Sequence, residues 1–430
     1  KFAKKNKILV GPGRGSGPSS LVSYVLGITD IDPLKFDLLF ERFLNPERIS
    51  MPDIDTDFPD NRRDEIIQYV KEKYGTAKVA HISTFGTFGV RLALRDVARV
   101  LRLPDVVLQE VLKFIPSADA SLENILQENA MFANLVKENP QVKKLIDLVA
   151  KLEGLPRHIS THAAGIVMTK EDLVEFTPLQ VGMNGLYQTQ YEAMDLEKIG
   201  LVKIDFLGLR NLTIIDNVIN KIHQTNPDFE ILKIPLDDKP TYRMIAAGDT
   251  DGIFQLESRG MRNVLVGLKT SDFMDIVNAN ALFRPGPMEM IPSFIKRKFN
   301  EEAIDYLHPD LQTILEPTYG IIVFQEQIML IAQKFAGYTL GMADILRRAV
   351  SKKTASVLEN ERERFVRSAL KKGYDEITSQ KVYDYIVKFA NYGFNKSHSV
   401  AYSLIAYQMA YLKRHYYQHF MSELMTNSIG

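Results

Sequence analysis

Met51-Pro52-Asp53-Ile54-Asp55-Thr56-Asp57-Phe58 is the stretch on which the reading of the fold turns. Period-2 alternation places Asp53, Asp55 and Asp57 on one face of a strand and Ile54, Thr56 and Phe58 on the other. Like charges that close raise one another's pKa and weaken the strand unless a cation neutralises them, and carboxylate oxygens suit a hard divalent ion such as magnesium. A solvated strand edge with coincidental acids is the competing reading. Alternation does not separate an Asp53-Asp55 pair from an Asp55-Asp57 pair.

A second acid stands in Leu201-Val202-Lys203-Ile204-Asp205-Phe206-Leu207-Gly208, where Lys203 and Asp205 share one strand face. Charges on an apolar strand are costly unless paired or metal-bound, so a structural Lys203-Asp205 pair competes with a catalytic role. Together with the first strand the catalytic reading gains. Acids from two neighbouring strands can hold two metal ions ~3.5 to 4 Å apart for in-line phosphoryl displacement.

Around these acids lie cationic segments. Residues 7–10 read as a strand, followed by the loop Gly11-Pro12-Gly13-Arg14-Gly15-Ser16-Gly17 and an apolar helical run over 19–26. The glycine spacing fits neither the dinucleotide fingerprint nor the P-loop. Its backbone amides, with Arg14 and Ser16, can still cradle a triphosphate, or the loop is simply a tight turn. From Arg347 to Lys372 nine basic residues face three acidic ones. That excess suits phosphate, or a solvated face. Arg348 and Lys352, at i and i+4, repel unless an anion bridges them. Arg91, Arg95, Arg99 and Arg102 line one helix side opposite Val90, Leu94, Val97 and Leu101, which fits a duplex backbone or an ordinary amphipathic helix. Tyr402, Tyr407 and Tyr411 follow Asn391-Tyr392-Gly393-Phe394-Asn395-Lys396-Ser397-His398-Ser399, with Ser397 or Ser399 the expected helix cap. Such tyrosines stack on bases or fill a core. His158 and His162 read as ordinary hydrogen-bonded histidines.

The helical pattern extends over about 85–180, strand signals return at 164–168 and 201–207, and helical periodicity dominates from residue 212 to the end. Asp60 or Asn61 is placed to cap a helix whose apolar face is Ile66, Ile67, Val70 and Tyr74 and which Gly75 stops. With 430 residues, roughly two to four domains are expected. Hydrophobic residues at 45% and charged residues at 25% exclude a disordered chain. Equal numbers of basic and acidic residues leave no overall field to attract a polyanion, so local patches must do so. The absence of cysteine removes thiol nucleophiles, disulfides and thiolate zinc sites, and points to a cytoplasmic location. No apolar run reaches the ~18 residues of a membrane span, and no secretory signal opens the chain. A start without Met and an abrupt end lead us to expect a stretch of a longer protein.

These motifs, with Phe40-Glu41-Arg42-Phe43-Leu44-Asn45-Pro46-Glu47-Arg48 and Phe283-Arg284-Pro285-Gly286-Pro287, occur in an order that resembles the catalytic core of the family C bacterial replicative DNA polymerases. These are the alpha subunits of DNA polymerase III, here in the form without an embedded exonuclease. The resemblance implies an α+β fold. Its palm would be like that of the nucleotidyltransferases related to DNA polymerase beta, a mixed sheet plus helices over residues 1–85 and 163–212. A helical thumb would be inserted at 86–162, and large helical fingers would occupy 213–430.

By the same resemblance, Asp53, Asp55 and Asp205 would be the catalytic acids holding two Mg2+ ions. Arg14, Gly15, Ser16, Arg42, Lys203, Arg347, Arg348 and His398 would meet the nucleotide. Arg91, Arg95, Lys352 and Lys353 would contact DNA. The implied partners are primer-template DNA and a dNTP, with replicase subunits such as the sliding clamp engaged through regions absent from this chain, and no membrane. The rival readings are a metal-dependent nuclease or phosphohydrolase and a non-catalytic DNA-binding scaffold.

Overall fold

The acidic stretch does form a strand, over Asp55–Phe58, in the computed structural model, which describes residues 1–47, 54–116, 121–183, 185–351 and 355–428. Among the described residues the strands are β1 (Asp55–Phe58), β2 (Val79–Thr87), β3 (Pro156–Met168), β4 (Leu179–Val181), β5 (Tyr187–Glu192) and β6 (Lys203–Gly208). Helices occupy most of the rest, so the class is the expected mixture of helix and sheet. The chain divides into two compact units, residues 71–203 and residues 1–70 with 204–430.

In the larger unit β1 runs parallel to β6, with Asp55 opposite Asp205, Thr56 opposite Phe206 and Asp57 opposite Leu207. Phe58, Ile66, Ile8 and Ala3 form a small core beside the pair. Residues 7–10 are not the expected strand. Lys7 takes a left-handed φ of 52°, and β1 is met by the residue after the segment, Gly11, whose N–H donates to the Asp57 carbonyl at 2.9 Å. The apolar signal there reports the burial of Ile8 rather than a ladder.

The helix expected over 19–26 is shorter than its apolar pattern. A 3₁₀ turn at Gly17–Ser19 leads to a helix at Leu21–Val25, capped by Ser20 Oγ accepting from Ser23 N–H. Leu21, Val22, Val25 and Leu26 on it are exposed. The helix after β1 spans Arg63–Tyr74, with Asp64 and Glu65 in its first turn and Lys71 and Lys73 in its last, as the helix dipole favours. Gly75 ends it with φ 95°. Before the helix, Asp60 is tied to Thr213, whose hydroxyl accepts from Asp60 N–H at 3.0 Å and donates to the Asp60 carboxylate.

From Arg210 on the larger unit is helical, as expected, around two cores. The first centres on the Phe273–Leu282 and Lys396–His415 helices. Small residues let them approach: Ser399 Oγ donates to the Val277 carbonyl at 2.7 Å, and Asn280 Nδ2 donates to Ser403 Oγ at 2.9 Å. Tyr407 is fully buried in this core, which settles it as packing. The second core gathers Ile328, Phe335, Leu346, Phe365 and Tyr383 from helices Gln325–Ala336, Leu340–Ser351, Ala355–Lys371 and Glu376–Phe389.

In the smaller unit β2 pairs antiparallel with β3 and parallel with β5, and β5 pairs antiparallel with β4. The helices expected over 85–180 occupy a narrower span, from Val90–Val100 to Pro140–Leu152. Val90, Ala93, Leu94 and Val97 turn inward at helical spacing onto Phe132, Leu145 and Val149. Residues 156–168 form β3, whose polar first half is exposed and so lacks a strand's apolar signature. No helix of the described residues is long and apolar enough to cross a membrane.

Candidate active site

Asp55 and Asp205 are cross-strand partners on adjacent parallel strands, which puts both carboxylates on the same face. Asp205 is buried and Asp55 partly so. Two oxygen-donor groups side by side suit a hard divalent cation. Asp53, the third acid expected here, lies outside the described residues, as do Lys352 and Lys353. Among the described residues no three acids or histidines are grouped to hold a metal ion. The described part of the set, Asp55 with Asp205, therefore fits such an ion as an incomplete pair.

Asp57 lies one step further along β1 on that face and has a different partner. Arg14 Nη1 donates to its Oδ1 at 3.1 Å, while Arg14 Nε lies 3.7 Å from Asp55 Oδ2. Burial pushes the Asp57 carboxyl above the ordinary carboxylate range, with Arg14 pulling against it. Burial also works against the Arg14 charge, but Asp57, Tyr402 and Asp55 outweigh it and hold the guanidinium above its usual value.

The glycine loop is fastened to the start of the Lys396–His415 helix through one residue. Gly15 N–H donates to His398 Nδ1 at 3.1 Å, and Ser397 Oγ donates to the Gly15 carbonyl at 2.8 Å. Gly15 has a φ of 59°, where a side chain would be strained. The helix cap is Asn395, whose Oδ1 accepts from Ser397 N–H at 3.0 Å; neither Ser397 nor Ser399 fills that role. Ser16 leads into the 3₁₀ turn and is half-buried.

Because His398 Nδ1 accepts a bond, the ring proton is assigned to Nε2. Burial, reinforced by Arg14, pushes the His398 pKa down to about 4, so the ring is neutral at physiological pH. It packs on Tyr402 with centroids 4.1 Å apart. Both rings line a cavity of about 550 Å³ together with Phe394, Arg284, Asn280 and Asn211. Arg284 lies over the Phe394 ring at 4.2 Å and donates to the Tyr392 carbonyl at 2.8 Å. Arg284, within Phe283-Arg284-Pro285-Gly286-Pro287, is a cavity residue that no charge pattern or spacing marks out.

Three further cations converge on one acid. Asp344 is fully buried. Its Oδ1 accepts from Arg42 Nη1 at 2.9 Å and from Arg347 Nη2 at 2.9 Å, and its Oδ2 accepts from Arg348 Nε at 3.1 Å. Burial and the neighbouring Arg42 lower the Arg347 pKa to about 10. Burial pushes Asp344 up, but Arg347 and Arg42 more than reverse it, leaving the carboxyl below its ordinary value. Arg42 also donates to Gln325 Oε1 at 2.7 Å. Next to Gln325, Glu326 is buried, its two oxygens accepting from Lys396 N–H at 3.1 and 3.0 Å. Arg347 is thus inside the protein, and Arg348, with 47% of its side chain exposed, is the member open to solvent. The sequence showed neither Asp344 nor Glu326, since single acids on helices read as solvated.

Lys203 opens β6, two residues before Asp205, and is partly buried. In the smaller unit Arg91 is half-buried and donates to the Ile115 carbonyl at 2.6 Å, whereas Arg95 is exposed.

Two family models match the chain: the bacterial DNA polymerase III alpha NTPase domain over residues 1–208 and the bacterial DNA polymerase III alpha subunit finger domain over residues 211–373. The chain is 54% identical over 432 residues to the DNA polymerase III subunit alpha of Bacillus subtilis (strain 168), covering all of this chain and 39% of that protein. It is 52% identical over 426 residues to the protein of the same name from Halalkalibacterium halodurans, covering 99% of this chain and 38% of the relative. The Staphylococcus epidermidis (strain ATCC 12228 / FDA PCI 1200) protein is 51% identical over 431 residues, with 100% and 40% covered. The chain therefore spans about two fifths of the length of these curated relatives. Matched by consecutive models of one family and half identical to its members along its whole length, the chain belongs to the bacterial DNA polymerase III alpha subunit family.

Proposed function

We propose that the chain carries the nucleotidyl-transfer site of a template-directed DNA polymerase of chromosomal replication, in which a primer 3'-hydroxyl attacks the α-phosphate of a dNTP and pyrophosphate leaves. The observation that carries this reading is the register of Asp55 opposite Asp205, with the Arg14 loop bonded to the same strand. Asp53, Asp55 and Asp205 would hold the two Mg2+ ions; when bound, these supply a lowered pKa for the attacking hydroxyl and neutralisation of the leaving pyrophosphate.

The chain's own residues do the positioning. Arg14, on the loop with Gly15 and Ser16, binds the triphosphate through charge-assisted hydrogen bonds. Arg348 and its neighbours Arg42 and Arg347 supply further positive charge, and Lys203 sits beside the reacting groups. Neutral His398, packed against Tyr402 beside the cavity, faces the base or sugar without adding charge. Arg91, Arg95, Lys352 and Lys353 contact DNA. The palm, thumb and fingers division belongs to this proposal, as do a cytoplasmic location and engagement of a sliding clamp through regions outside this chain.

The test is primer extension with pyrophosphate release by the Asp55→Asn and Asp205→Asn variants. Both are expected to lose extension while keeping primer-template binding. Undiminished extension by either removes the site. Strand shortening without pyrophosphate would instead identify a nuclease.

A further inference from the structure

Asp57 shares a strand face with Asp55, and alternation alone makes it an equal candidate for a metal. Its surroundings separate the two. Asp57 is 1% exposed. Its carboxylate accepts from Arg14 at 3.1 Å, and its backbone carbonyl accepts from Gly11 at 2.9 Å. Gly11 approaches so closely that a Cβ on it would stand 2.8 Å from the Asp57 Cβ. Every one of these contacts runs to the glycine loop, whose other side is held at Gly15 by Ser397 and His398. The Arg14 guanidinium also lies 5.8 Å from the centroid of the Tyr402 ring. A buried carboxylate is costly without a partner, and here the partner is the arginine at the mouth of the proposed phosphate site. Arg14 has five N–H donors, so bonding Asp57 leaves others for phosphate oxygens.

We infer that Asp57 is a positioning residue and not a metal ligand: it fixes the Arg14 guanidinium where the incoming triphosphate needs it. The inference rests on the proposed nucleotide site. A guanidinium already held in place does not have to be ordered when the triphosphate arrives, so releasing it weakens nucleotide binding. The loss falls on binding rather than on the chemical step.

The test uses the full natural polypeptide with Asp57→Asn, Arg14→Ala and the double variant. Three quantities are read: equilibrium binding of dATP without primer, Mn2+ binding by electron paramagnetic resonance without nucleotide, and the KM and kcat of extension. In Asp57→Asn we expect dATP binding weaker and dATP KM higher by about tenfold, with kcat changed by no more than about threefold. Mn2+ binding should be unchanged, and the double variant should be no worse than Arg14→Ala alone. Asp57→Glu, which keeps the charge but displaces it by one methylene, is the second variant should Asp57→Asn fail to fold; the same loss of dATP binding is expected. Weakened Mn2+ binding with a collapsed kcat overturns the inference in favour of a ligand role. Unchanged dATP binding overturns it too, as does a loss that simply adds to that of Arg14→Ala. An unsubstituted protein that binds dATP but extends no primer would sink the polymerase reading and leave this inference standing.

Discussion

Arg42 and Asp344 stand 302 positions apart in the chain and meet as a buried ion pair at 2.9 Å. The same carboxylate holds Arg347 and Arg348, so one acid ties the segment around Phe40–Arg42 to the Leu340–Ser351 helix and keeps three guanidiniums together. Removing one partner of a buried pair leaves uncompensated charge, at a cost of roughly 3–5 kcal/mol. Asp344→Ala is expected to lower the urea midpoint of the larger unit accordingly. A midpoint within experimental error of the parent would show that Asp344 is not its electrostatic hub.

That hub also sets an acid limit. The Asp344 carboxyl is held below its ordinary value of 3.8 in the folded chain. Its contribution is therefore fully present above that value and is lost as pH falls through the depressed folded pKa. Acid unfolding of the parent below pH 3.8 should be steeper than that of Asp344→Asn, as followed by circular dichroism.

His398 moves stability at milder pH. Its folded pKa, about 4, lies below the ordinary 6.5. Above 6.5 the ring is neutral in both states; between 6.5 and 4 only the unfolded chain takes up the proton, so stability drops as pH falls through this window. The drop attributable to this ring is of the order of 3 kcal/mol. NMR of the imidazole should show no protonation at pH 5.5. A midpoint near 6.5 would mean the ring is not buried against the Gly15 amide in solution.

Gly11→Ala tests the close approach of the glycine loop to β1. The new methyl would sit 2.8 Å from the Asp57 Cβ, so one of the two segments must shift. Overpacking of this kind costs typically 1–3 kcal/mol. The expected signature is a lower melting temperature together with weaker dATP binding. Loss of stability with intact dATP binding would separate the loop's packing from its ligand role.

In the smaller unit Phe132 is fully buried among Val90, Leu145 and Val149. Phe132→Ala should cost about 3–5 kcal/mol. Protease cleavage within residues 90–152 is expected to accelerate, and an unchanged cleavage rate would count against that core.

The parts of this molecule written in local spacing were legible in advance. β1 could be read because Asp55 and Asp57 alternate with Thr56 and Phe58, and the Arg63–Tyr74 helix because Ile66, Ile67 and Val70 recur before Gly75. Residues 7–10 misled because burial and strand pairing share an apolar signature, and only Ile8 is buried. The first half of β3 was missed for the opposite reason, since a paired but exposed strand carries polar residues. The site itself was legible only as a set of residue types. That Gly15 bonds His398 across 383 positions, or that Asp344 collects three arginines, depends on tertiary contacts that no local pattern encodes.

The pairing of β1 with β6 has a consequence for biosynthesis. Asp55 leaves the ribosome 150 residues ahead of the acid it must face. The intervening residues 71–203 build a compact body with its own apolar interior, and domains generally acquire structure in order of emergence. A nascent chain stalled before Asp205 therefore displays its first acidic strand without the neighbour that completes the ladder. The carboxylate pair can close only once the whole of residues 71–203 has been synthesised.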